Sequence, residues 1–94
     1  MTKILKTNRE TGAETVINLN PNLDRFPLKF ALAIYIFFFE HGNQASLAEW
    51  LHGLSMGIDE FIKTEAFDRI FSKIKTSGNM PIYTNDHFIY VIES

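Results

Sequence analysis

From Leu28 to Phe39 the chain reads LKFALAIYIFFF, twelve residues in which Lys29 carries the only charge. A helix built from this segment is apolar around its whole circumference and cannot lie half-solvated on a surface. At 1.5 Å rise per residue it is roughly 18 Å long, short of the ~30 Å hydrocarbon core of a bilayer, which takes about 20 apolar residues. Such a rod must be wrapped by the rest of its own domain, or by a partner chain where that domain runs out of cover. The sequence therefore predicts a central helix over about 27–41, and more apolar surface than so short a chain readily covers.

Ninety-four residues make a single domain, 1–94, near the low end of sizes at which one hydrophobic core holds a fold without a staple. With no cysteine, a disulfide framework, a thiolate nucleophile and Cys-type zinc sites are all excluded. The opening MTKILKTNRETG turns polar after two apolar residues, unlike the apolar run of a signal peptide. Both features point to a cytoplasmic protein. Nine of the thirteen aromatics are phenylalanine, and burying each is worth about 1.5–3 kcal/mol, so a handful offsets a thin core. A net charge of −2 argues against non-specific polyanion binding, which lysine and arginine drive by displacing counterions. After residue 47 the chain carries four basic and seven acidic residues, so any charged contact surface in that half is acidic.

Lys3 to Leu19 reads as a hairpin: KILKTN, a turn-rich RETG, then AETVINL with β-branched Thr15, Val16 and Ile17. A loop rich in asparagine follows, with Asp24 as a candidate cap of the central helix and Pro27 suited to its first turn. Gly42 and Asn43 are its stop signal, both tolerant of left-handed backbone angles. Ser46 and Glu49 have the spacing of a capping box. Leu47, Trp50, Leu51 and Leu54 then recur at helical spacing as one apolar face, expected to point inward, with Gly53 or Gly57 closing the helix. From Ile58 to Lys75 two apolar stripes lie on nearly opposite sides of a straight helix, which predicts a break near Lys63 with Thr64 capping the second piece. Ser77, Gly78 and Asn79 end it. In the tail MPIYTNDHFIYVIES, Thr84, Asn85 and Asp86 mark a turn, and Phe88 to Ile92 is an unbroken apolar strand of the kind found inside a sheet. The predicted fold is α+β: an N-terminal β-hairpin, three to four helices around the central apolar helix, and a C-terminal β-hairpin joining one small antiparallel sheet.

Side-chain chemistry is sparse. His41, His52 and His87 fall on separate elements without metal-ligand spacing, no serine sits in a nucleophile elbow, and the five glycines match no phosphate-binding fingerprint. Asp59 and Glu60, then Glu65 and Asp68, open predicted helices while Lys73 and Lys75 close one, an arrangement that complements helix dipoles. No catalytic residue, metal or cofactor is expected.

Recognition by surface remains. Phe37, Phe38 and Phe39 are about 100° apart on a helix and cannot all face one core. Trp50 often keeps an edge at a surface, where tryptophan is a frequent binding hot spot. The sequence thus predicts a small non-enzymatic protein that binds another protein, as an inhibitor, adaptor or regulatory subunit of bacterial, phage or mobile-element type. Phe37, Phe38, Phe39 and Trp50 are its candidate apolar contacts, Glu49, Asp59, Glu60, Glu65 and Asp68 its acidic ones, and a homodimer is one form such binding takes. The alternative is a DNA-binding regulator, because helices followed by a hairpin is also the element order of a winged helix. Asp59 and Glu60 at the start of its reading helix argue against phosphate contact.

Overall fold

The computed structural model describes residues 2–40 and 46–94. Strands β1 (Lys3–Asn8) and β2 (Glu14–Asn18) form the first hairpin, and a 3-10 turn over Pro21–Leu23 leads into helix α1 (Leu28–Phe39). Helices α2 (Leu47–Ser55), α3 (Ile58–Phe61) and α4 (Glu65–Phe71) follow, then strands β3 (Lys75–Ser77), β4 (Met80–Thr84) and β5 (Phe88–Glu93). The five strands make one antiparallel sheet in the order β2-β1-β5-β4-β3, so the fold is α+β as the hydropathy pattern predicts. Among the described residues no helix is long and apolar enough to cross a membrane.

β5 owes its central place to an apolar face on each side. It pairs with β1 through Lys6↔Tyr90 and Ile4↔Ile92, and with β4 through Tyr83↔Tyr90. Ile4, Tyr83, Tyr90 and Ile92 are fully buried on the face that meets the helices. The intervening residues Leu5, Ile82 and Val91 fall in register on the other face, with Val16 beside Leu5, and are only half-buried.

α1 lies between this sheet and the other helices, packed on α4, β4, β5 and α2. Ala31, Leu32, Ala33, Ile34, Ile36 and Phe37 are all buried. Phe30 packs its ring, tilted, with centroids 5.7 Å from Phe67 and 4.7 Å from Phe71. The lone charge of the rod, Lys29, snorkels over the face of Phe71 with its ammonium 4.3 Å from the ring centre. The chain therefore supplies its own cover for most of the rod, leaving Phe39 64% exposed at its end.

Thr64 caps α4 by accepting from the Phe67 amide, so the 58–75 segment breaks where its two stripes require. The segment expected as a reading helix is accordingly two short pieces. Other local expectations are corrected. Pro27 takes the N-cap position of α1, while Asp24 closes the 3-10 turn. α4 ends at Phe71, so Lys73 and Lys75 are not its last turn, and Lys75 instead opens β3. Ser77, Gly78 and Asn79 form the β3–β4 turn: Gly78 has φ +63° at the first central position and no other residue there is positive, the signature of a type II′ hairpin. The expected stop at Gly42 and Asn43, and His41, lie outside the described residues.

Candidate functional site: the outer face of α2 and its groove

α2 begins with the predicted capping box. The Ser46 hydroxyl accepts from the Glu49 amide at 3.2 Å, and the Glu49 carboxylate accepts from the Ser46 amide at 3.3 Å. The Glu49 carboxylate also accepts from Arg69 on α4. The bond from the Ser46 backbone, aided by the Arg69 guanidinium, holds that carboxyl below its ordinary pKa. Inside the helix, the indole Nε1 of Trp50 donates to the Phe38 carbonyl at 3.1 Å, one of the last four carbonyls of α1, which have no partner within their own helix. Gly53, a turn further on, is buried against Phe37 and Phe38.

Because α2 is seated by Trp50 and Gly53, its leucines turn outward. Leu47 is 64% exposed and Leu51 and Leu54 are each 52% exposed, which corrects the expectation that this stripe enters the core. The leucine stripe and the Trp50–Gly53 stripe occupy adjacent parts of the same wheel, and hydropathy favours the first. The glycine was the signal that favoured the second, since a mid-helix glycine costs roughly 0.5–1 kcal/mol relative to alanine and is tolerated for close approach.

Beside these leucines lies an apolar groove of about 480 Å³ between the end of α1, α2 and the start of α3. Phe38, Phe39, Trp50, Leu54, Met56 and Ile58 form its walls, and Asn20 and Asn22 supply polar groups. Among the described residues its lining holds no acid, base, thiol or hydroxyl, and what these residues offer is a surface for apolar side chains. A smaller hollow of about 240 Å³ on the other side of α2 is lined in part by Glu49, His52 and Glu65.

Of the residues singled out in the sequence, Phe38, Phe39 and Trp50 meet at the groove and Glu49 and Glu65 at the smaller hollow. Phe37 is 1% exposed and packs its ring 4.4 Å from Phe61, so it is core. Asp59 stands apart on α3, 3.5 Å from Arg25, and Glu60 lies 3.9 Å from Lys63. Asp68 is exposed in the first turn of α4. Leu47, Leu51 and Leu54 belong with the site although sequence reasoning assigned them to the core. Among the described residues no three His, Cys, Asp or Glu side chains are grouped to hold a metal.

Comparison with protein-family models, with curated proteins and with solved structures returned no match.

Proposed function

We propose that the protein is a small non-enzymatic binding protein, an inhibitor, adaptor or regulatory subunit, and that it docks on another protein through the outer face of α2 and the adjoining groove. The observation that carries this reading is the stripe of Leu47, Leu51 and Leu54 along α2, each more than half exposed, which Leu54 joins to the groove that Phe39 also lines. Monomeric soluble proteins rarely leave so contiguous an apolar surface bare unless it meets something. The partner's contribution is an apolar segment, a helix or extended strand with bulky side chains, for which the groove has the size and the lining. Glu49 and Glu65 lie at the smaller hollow on the other side of α2, Glu49 already bonded to Arg69, so they flank the apolar contact and give register more than affinity. A cytoplasmic setting and a phage or mobile-element source accompany this reading as part of the proposal.

Affinity capture from the native host tests it with three baits: the wild-type chain, Leu51→Asp and Phe39→Ala. The expected result is a partner held by the wild type, insensitive to nuclease, and lost from both variants while their melting temperatures stay close to that of the wild type. A partner held equally by all three baits, or salt-sensitive duplex binding in a gel shift with no protein partner, overturns the proposal.

A further inference from the structure

The sheet has two edges, and only one is blunted. β3 is three residues long and opens with Lys75, two common devices against edge-to-edge pairing. β2 runs five residues, ETVIN, without lysine, proline or a break in its register against β1. Glu14, Thr15, Val16 and Asn18 are all exposed, Val16 at 58%.

Which backbone groups of β2 point outward follows from two bonds at the ends of its ladder. The Asn8 amide donates to the Ala13 carbonyl at 2.8 Å, and the Leu19 amide donates to the Thr2 carbonyl at 3.1 Å. Hydrogen-bonded pairs alternate along an antiparallel ladder, so Ala13, Thr15, Ile17 and Leu19 turn their backbone toward β1. Glu14, Val16 and Asn18 turn theirs to the open edge.

We propose that a second copy of this chain pairs there, β2 against β2 in antiparallel register about a two-fold axis through Val16, joining two sheets into one. The register argues for that occupant. Val16 meets its own copy, and Glu14 meets Asn18 of the second copy on either side, so all three outward residues form hydrogen-bonded pairs that exchange two bonds each. Each Glu14 carboxylate faces an amide that donates to it, and no like charges oppose. Moving the axis to Glu14 sets carboxylate against carboxylate and leaves Asn18 unpaired. The same axis joins the apolar row of Val16, Leu5, Val91 and Ile82 to its copy and covers Val16. β2 lines neither the groove nor the smaller hollow beside α2, so this contact is separate from the one proposed above and leaves a dimer with two α2 faces.

Light scattering coupled to size exclusion, over a range of concentrations, reads the mass of the wild type, of Val16→Lys and Val16→Glu alone, and of the two variants mixed. The expected wild-type mass is twice the 10.8 kDa of one chain, each variant alone reverts to the single-chain mass, and the mixture recovers the doubled mass by pairing opposite charges at the axis. Hydrogen exchange on the wild type is the second measurement and needs no variant to fold. It should find the Glu14, Val16 and Asn18 amides protected alongside those of Thr15 and Ile17. A wild type that stays at single-chain mass, a doubled mass that survives in Val16→Lys, a dimer abolished by Leu51→Asp instead, or fast exchange at the three outward amides overturns the proposal.

Discussion

A methyl group placed on Gly53 would sit 2.9 Å from Cε1 of Phe37, closer than carbon atoms approach. This one absence of a side chain sets how near α2 comes to α1, and through Trp50 it decides which face of α2 is left to solvent.

Gly53→Val is therefore expected to destabilise the fold by about 1–3 kcal/mol, the cost of overpacking a filled site. Urea unfolding followed by circular dichroism measures it. A variant as stable as the wild type would mean that α2 is not held against Phe37.

The three consecutive phenylalanines should separate cleanly. Phe37→Ala empties a buried site and is expected to cost about 3–5 kcal/mol, whereas Phe39→Ala should stay within about 0.5 kcal/mol of the wild type. Chemical denaturation of the two variants side by side gives both values.

Trp50→Phe keeps an aromatic body but withdraws the donor from the Phe38 carbonyl. The expected loss is about 0.5–1.5 kcal/mol, the net worth of one such bond. Thermal melts of the variant and the wild type provide the comparison, and equal melting temperatures would show that the indole bond contributes nothing.

Tyr83 is fully buried and its hydroxyl has no hydrogen-bond partner among the described residues. Tyr83→Phe should accordingly be neutral or stabilising, because it removes a buried polar group without breaking a bond. Burial also pushes the Tyr83 phenol from its ordinary value near 10 up to about 12. The unfolded chain releases that proton near pH 10 while the folded chain retains it, so stability is intact below pH 10 and falls as pH rises toward 12. Denaturant midpoints across that interval should decline for the wild type and decline less for Tyr83→Phe, and equal slopes would remove Tyr83 as a cause.

Much of the fold was legible because its signals are local. The opposed stripes of Ile58–Phe61 and Phe67–Ile74 forced a break at Thr64, and the doubly apolar run Phe88–Ile92 demanded a neighbour on each side. β3 was not legible: Lys75, Thr76 and Ser77 are polar and come only three residues after α4, and only pairing with β4 makes them a strand. The orientation of α2 was hidden for a different reason. Hydropathy ranks leucine above glycine for burial, and it takes the position of Phe37, fixed by long-range packing, to reverse that ranking. The same reversal moved the exposed apolar surface from the rod to the leucines.

The strand order places β1 beside β5, so an inner ladder of the sheet ties Lys3 to Glu93, residues near opposite ends of the described chain. Closing that ladder joins the longest loop in the molecule, and such pairings form slowly because their entropy is lost before their contacts are gained. During synthesis the first hairpin emerges with its inner edge bare and waits for the final strand. Until then Ile4, with no exposure in the finished protein, lies open on that hairpin, and this interval is when the chain most needs shielding from its neighbours.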